Sequence, residues 1–357
     1  MIQVTKPFLP PFEEYSKILE KIWKTSIITN MGPISKNLEN ELKSHLGVKN
    51  LHFVSNGTIA LQLAIKALDL KGEIITTPFS YVATSSSIVW ENCKPIFVDI
   101  DNKSLNIDSN LIEEKINTNT QAILATHVFG NPCNIDDINE IAKKNNLNVI
   151  YDGAHAFGVR YKKQSIFNFG DISTCSLHAT KLFNSGEGGL VISNILKLHK
   201  KIEYMKNFGH KGPEEYSGLG INGKNSEFHA ALGLINLSYI TKIHNKRKLL
   251  SETYDRLLSL KKPLWNLSGT KNYSYYPVIF SSEKELLMVQ RKLEKNNIFG
   301  RRYFYSSLNT CLNYVENHFM KNSENISKKV FCLPFYYDLE IDVVRRICYI
   351  INKEINK

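Results

Sequence analysis

Between residues 51 and 193 short apolar runs alternate with stretches of helical spacing, and almost every run stops at a small or polar residue. The runs at 51–55, 73–77, 95–100, 122–127, 149–152 and 172–177 are too short for helices and apolar on both faces, as strands in the middle of a sheet are. Between them, 59–68, a stretch ending near Trp90, 111–116 and 135–144 carry apolar residues at helical spacing. Strands separated by helices require crossover connections, which are right-handed and build a mainly parallel sheet covered on both faces. The fold class is therefore α/β. In open sheets of this kind ligands bind outside the carboxyl ends of the strands, so the residues that end the runs are the ones to read for chemistry.

The run at 172–177 delivers Lys181 into a turn of small and polar residues, and a further strand at 189–193 carries the chain away. Most lysines are solvated surface, and this chain has 45 Lys and Arg residues. A lysine at a strand end, flanked by apolar residues, is different: partly desolvated among fixed dipoles, its amine loses basicity and becomes a nucleophile toward carbonyls. Asp152 ends the run at 149–152, 29 residues upstream of Lys181. A lone strand-end aspartate is commonly a helix cap. Paired with a nucleophilic lysine, it is the acid that pyridoxal 5'-phosphate (PLP) needs beside its ring nitrogen. Asn56-Gly57-Thr58 turns the first run into a helix. Such a turn presents free N–H groups, the positive end of a helix dipole and the Thr58 hydroxyl to a phosphate.

The chain has other helical and strand-like parts. Residues 12–22 and a stretch from Ser35 form a helical lead-in, and 195–205 a helix followed by a polar glycine-bearing loop with His210 and Lys211, candidate contacts for substrate phosphates. A helix capped by Asn225 or Ser226 precedes a long helical stretch at 241–260; then 273–280 alternates as a strand, and 283–295 and 341–353 are amphipathic helices. The expected division is a large cofactor-binding domain at 1–240 and a small α+β domain at 241–357. Arg301, Arg302, Tyr303 and Tyr305 are placed to line a substrate mouth, since guanidinium forks suit diphosphates. His127, at the end of its run, is expected to be structural.

Composition narrows the function classes. A formal net charge of +11 favours anionic partners, but basic residues are dispersed among acidic ones, so a diphosphate-bearing substrate is expected rather than nucleic acid. No apolar run reaches the roughly 20 residues of a membrane span, and no signal-peptide pattern opens the chain, so a cytoplasmic protein away from membranes is expected. The six cysteines stand singly and no His/Cys cluster has metal spacing. They are expected to be buried thiols, Cys175 included, with no metal site.

Ser55-Asn56-Gly57-Thr58, Pro78-Phe79-Ser80-Tyr81-Val82-Ala83-Thr84, Phe97-Val98-Asp99-Ile100-Asp101, Asp152-Gly153-Ala154-His155 and Ser176-Leu177-His178-Ala179-Thr180-Lys181 together resemble the DegT/DnrJ/StrS sugar aminotransferases over nearly the whole length. That resemblance implies the PLP-dependent transferase fold of type I, aspartate aminotransferase-like, with PLP held by Lys181 and Asp152. It also implies Tyr81 against the ring face, His155 beside the phenolic oxygen, and Gly57, Thr58 and Ser176 on the phosphate. Asn222 would reach the phosphate of a partner chain, making a homodimer with shared active sites; where the family commonly has Arg-Met, this chain has Lys224-Asn225. Lys181, Asp152 and His155 are the implied catalytic residues, and Tyr305, Arg301, Arg302, His178, His210 and Lys211 the substrate contacts.

Pro7-Phe8-Leu9-Pro10-Pro11 and Arg301-Arg302-Tyr303-Phe304-Tyr305 are similar to the subgroup acting on dTDP-linked keto-6-deoxyhexoses. The implied reaction moves an amino group from glutamate to a 3- or 4-keto group of such a sugar, giving a dideoxy amino sugar for surface polysaccharide such as O-antigen. Two alternatives stand beside it. Related sugar dehydratases replace the lysine with histidine, which Lys181 argues against, and a non-catalytic PLP-binding regulatory protein has no need of the lysine and aspartate pair.

Overall fold

The structure is a computed structural model and describes residues 1–356. Two helices lead in, α1 (Phe12–Thr25) and α2 (Pro33–Leu46). They are followed by β1 (Leu51–Val54), α3 (Gly57–Ala67), β2 (Glu73–Thr76), α4 (Val82–Trp90) and β3 (Lys94–Phe97). Next come β4 (Thr120–Thr126), α5 (Ile135–Lys144), β5 (Asn148–Asp152), a small hairpin of β6 (Arg160–Tyr161) and β7 (Gln164–Ser165), then β8 (Ile172–Ser176), β9 (Gly189–Ile192) and α6 (Leu196–Met205). The remainder is α7 (Glu227–Leu257), β10 (Pro277–Ile279), α8 (Glu283–Glu294), α9 (Leu308–Cys311), α10 (Lys321–Ser327), β11 (Val330–Cys332) and α11 (Ile341–Ile355).

One seven-stranded sheet runs in the order β1-β9-β8-β5-β4-β2-β3. From β8 to β3 every neighbouring pair is parallel, and β9 alone lies antiparallel to both its neighbours. The carboxyl ends of β1, β2, β4, β5 and β8 therefore open on one edge, and the chain between β8 and β9 turns round at that same edge. Apolar clusters cover the sheet, one holding Ile75, Ile123, Tyr151 and Leu190, another Val54, Ile74, Leu124 and Ile150. A separate core of Val278, Leu286, Phe331 and Ile347 belongs to the C-terminal part, and partly buried Ile2 packs on it because the first residues bond to Asn297 and Phe299.

Four expectations are corrected. The segment 111–116 is not one helix but two 3-10 turns, Ser109–Leu111 and Glu113–Lys115, with Ile112 alone of its apolar residues fully buried. A single turn cannot offset its nucleation cost without more packing than that. The long helix begins at Glu227 rather than near 241, capped by Ser226 Oγ on the His229 N–H at 3.3 Å. It runs unbroken through the expected division at 240/241, with Ile240 and Ile243 in the large core and Leu250 and Tyr254 in the small one. The strand at 273–280 shrinks to β10 because Tyr273 has φ +57° and the carbonyls of Tyr273 and Ser274 bond instead to Arg247 Nη1, at 3.3 and 3.0 Å. Five cysteines are buried thiols, but Cys311 is exposed. No helix among the described residues is long and apolar enough to cross a membrane.

Candidate active site

A cavity of about 460 Å³ lies at the edge where the parallel strands end. Its floor is built from Ser55, Thr126, Asp152 and Ser176, the residues at or just past the ends of β1, β4, β5 and β8, and its far wall from Tyr275, Arg301, Tyr303 and Phe304 of the C-terminal part. The strand ends that the sequence marks out do converge.

Asp152 is buried and held on both oxygens. Thr84 Oγ1 donates to Oδ2 at 2.8 Å and the Ala154 N–H to Oδ1 at 3.0 Å. Thr84 is itself within 2.8 Å of Ser80 Oγ, which lies 3.1 Å from Thr126 Oγ1, so a chain of hydroxyls fixes the carboxylate's direction. Gly153 is required next: a Cβ there would stand 2.6 Å from Phe167 Cε1 and 2.9 Å from the Thr174 carbonyl.

Lys181 is carried by a turn stitched to itself. Leu177 and Ala179 N–H groups donate to the carbonyls of Gly188 and Gly186, at 2.8 and 2.7 Å, and the Lys181 N–H donates to His178 O at 2.9 Å. The amine points into the cavity, and burial pulls its pKa below the ordinary lysine value while the charge of Asp152 works the other way. Its one hydrogen-bond partner among the described residues is the Tyr275 hydroxyl, at 3.5 Å.

His155 is buried with its Nδ1 accepting from the Phe129 N–H at 3.2 Å. That bond places the ring proton on Nε2, and burial, followed by the nearby Lys181 charge, holds the imidazole neutral by driving its pKa well below the usual value. Its ring lies nearly coplanar in orientation with Phe304, at 5.8 Å and 4°.

At the other end of the cavity α3 begins. The Asn56 side chain accepts from the Ile59 N–H at 2.9 Å, and the N–H groups of Gly57 and Thr58 at the positive end of the helix have no acceptor among the described residues. Gly57 lies against Ser176, so these donors and the Ser176 hydroxyl share one corner. Tyr81 stands on the rim, 55% exposed, as the residue before α4.

Ten of the residues singled out from the sequence thus line one cavity: Lys181, Asp152, His155, Tyr81, Gly57, Thr58, Ser176, His178, Arg301 and Tyr303. The others lie outside it. Arg302 is tied to Glu283 at 2.6 Å with its guanidinium over the Tyr305 ring at 3.4 Å, and neither it nor Tyr305 lines the cavity. His210 and Lys211 line a separate open hollow of about 1140 Å³ with Lys197, Lys200, Lys201 and Lys224. Asn222 is exposed, pairs with Asn207 through the backbone and does not line its own chain's cavity. Sequence reading did not single out Thr84, Thr126 or Tyr275. Thr84 closes one of the quoted motifs and Thr126 ends a strand, which is a usable signal; Tyr275 lies 94 residues beyond Lys181 and gives none. No cluster of three or more His, Cys, Asp or Glu among the described residues could hold a metal ion.

A mainly parallel sheet with a buried carboxylate at the end of β5 and, past the end of neighbouring β8, a buried lysine of lowered pKa, both facing a helix N-terminus, defines an α/β fold whose strand-end site is built around one reactive amine. The chain belongs to the DegT/DnrJ/EryC1/StrS aminotransferase family, matched over residues 12–352. It is 42% identical to a dTDP-4-amino-4,6-dideoxy-D-glucose transaminase of Shigella dysenteriae, over 97% of each chain. A protein of the same name from Escherichia coli is 39% identical over 97% of this chain and 96% of its own. The solved structure of DesI in the presence of its TDP-sugar product superposes with a TM-score of 0.93 at 25% identity, covering 99% of this chain and 92% of that one.

Proposed function

We propose that the chain is a PLP-dependent aminotransferase that moves an amino group from glutamate to the 4-keto group of a dTDP-linked 6-deoxyhexose, giving dTDP-4-amino-4,6-dideoxy-D-glucose. The observation that carries it is the placing of Lys181 and Asp152 in one cavity whose opposite corner is a ready phosphate site. The names of the relatives at 42% and 39% identity support the nucleotide and the ring position, which the sequence left open between 3 and 4.

The donor set fits PLP. The free N–H groups of Gly57 and Thr58, with Ser176 Oγ, suit a phosphate; the doubly held Asp152 carboxylate suits a ring nitrogen that must stay protonated; and His155 Nε2–H is a donor for a phenolic oxygen. Tyr81 on the rim is the residue to cover the ring face. Bound there, the cofactor supplies an aldehyde that carries the amino group between two substrates and a ring that draws electrons from the reacting carbon.

The chain's own residues do the rest. Lys181 Nζ, made less basic by burial, takes the proton from the donor's α-carbon and gives protons back at the reacting centres. Thr84, Ser80 and Thr126 keep Asp152 from turning away. Arg301, whose guanidinium lies over the Tyr303 ring at 4.8 Å, stands at the mouth for an anionic part of a substrate. Asn222, exposed and not part of the lining of its own cavity, is the residue to complete the phosphate site of a second copy in a homodimer. Incubation with PLP, glutamate and a panel of dTDP-linked keto-6-deoxyhexoses, read by mass spectrometry, tests the assignment. Amine gain on the 4-keto sugar is expected, and no gain on any of them defeats it.

A further inference from the structure

We propose that Tyr275 is the positioning residue for the Lys181 amine, its phenol being the polar partner that fixes where the amine points and how basic it is whenever the lysine is free. This rests on the reading of Lys181 as the reacting amine and extends it to a residue from the other core.

The first observation is geometric. Tyr275 OH lies 3.5 Å from Lys181 Nζ, and neither atom has another hydrogen-bond partner among the described residues. Both face the same cavity. An amine that must be released and recaptured needs something to return to, since a flexible four-carbon stem otherwise spreads it over many rotamers.

The second observation is that Tyr275 is anchored far more firmly than a loop residue is. Asn272 Nδ2 donates to His155 O at 2.8 Å and to Phe157 O at 3.0 Å, and Ser274 Oγ donates to the same His155 carbonyl at 2.8 Å. Arg247 of α7 clasps the Ser274 carbonyl from behind at 3.0 Å. The segment 272–275 is thus fastened to the loop that carries His155. The Tyr275 ring also packs on His155 at 4.7 Å and edge-on to Tyr303 at 5.5 Å, so its hydroxyl has little freedom to leave the amine.

The third observation is chemical. Burial pushes the Tyr275 phenol above its ordinary pKa, so it stays a neutral hydroxyl through the working range. A hydroxyl both accepts and donates, and so serves the ammonium and the free amine in turn. The bond to the charged form is the stronger of the two. The net effect is therefore to hold the lysine's pKa up against the burial that pulls it down.

The test is the titration of Lys181 in the cofactor-free full chain. Reductive methylation with formaldehyde and cyanoborohydride is run from about pH 6 to about pH 11, and labelling of the Lys181 peptide is read by mass spectrometry beside that of exposed lysines. In Tyr275→Phe the Lys181 midpoint should fall by about half a unit to one unit, as loss of a long hydrogen bond to a charged group implies, with the reference lysines unmoved. Tyr275→Leu should give the same fall, and either variant alone decides the matter if the other does not fold. An unmoved midpoint overturns the proposal, as does a rise, or a fall in the leucine variant that the phenylalanine variant lacks. The measurement needs no sugar and no amino donor, so failure of the substrate assignment leaves its outcome standing.

Discussion

Replacing Gly57 with alanine separates cofactor binding from folding. An added Cβ would lie 3.0 Å from Ser176 Cβ and 3.3 Å from Ser176 Oγ, closer than side chains normally pack. The start of α3 and the end of β8 must move apart by a few tenths of an ångström to admit it. Those are the two elements whose donors face the phosphate in the proposed site. Overpacking of this kind costs about 1–3 kcal/mol, which read as lost affinity is about 5- to 150-fold. Alanine in the first turn of a helix returns up to about 1 kcal/mol over glycine, so stability should change far less than binding does. Cofactor-stripped Gly57→Ala protein titrated with PLP, followed by absorbance, should show the weaker binding while the urea midpoint stays close to that of the parent. An unchanged affinity in a folded variant refutes the cradle.

Three further outcomes follow from the site and its surroundings. Thr84→Val removes the donor at 2.8 Å from Asp152 Oδ2; since a hydrogen bond to a charged group contributes about 1.5–3 kcal/mol, PLP affinity should fall about tenfold or more, and equal affinity by titration contradicts the role given to Thr84. If Asn222 completes a partner's site, mixing Lys181→Ala with Asn222→Ala chains should restore about a quarter of parental activity, from one intact site in each mixed dimer; no recovery after confirmed subunit exchange argues for sites complete within one chain. The third concerns pH. Burial drives the His127 pKa down to about 3 from 6.5, so between those values the unfolded chain binds a proton that the folded one does not. The stability contribution is full above about pH 6.5 and is lost as pH falls, by about 2 kcal/mol at pH 5. A His127→Asn variant should therefore show a flatter fall in urea midpoint from about pH 7 to about pH 5, whatever its absolute stability, and an equal slope refutes the assignment.

How much could be read from the chain itself depended on distance along it. Lys181 and Asp152 are legible because Asp152 ends one apolar run and Lys181 sits in the turn that follows another, and a parallel sheet sends every such end to one edge whatever the details of packing. Gly57 and Thr58 follow from the same rule. Tyr275 has no local mark. It arrives through a backbone that leaves strand geometry at Tyr273 and is redirected by Arg247, a buried guanidinium inside a helix that reads as exposed. That same arginine hides the length of α7. The stretch around Lys242, Lys246 and Lys248 looks polar, yet Ile240, Ile243, Arg247, Leu250 and Tyr254 form one buried stripe at spacings of three and four, and the helix never breaks. Arg302 shows the converse: a guanidinium beside tyrosines suits a diphosphate, and nothing near it in the sequence marks its pairing with Glu283 of α8. Pairings of this kind are made by tertiary structure and leave no period in the sequence.

The central claim is a single reactive amine opposite a single buried acid. Borohydride reduction of the PLP-loaded protein, followed by digestion and mass spectrometry, tests it most directly. One pyridoxyl adduct is expected, on the peptide containing Lys181, and it should not form when glutamate is added before the reductant. A pyridoxyl mass on any other lysine, or none on Lys181, contradicts the account.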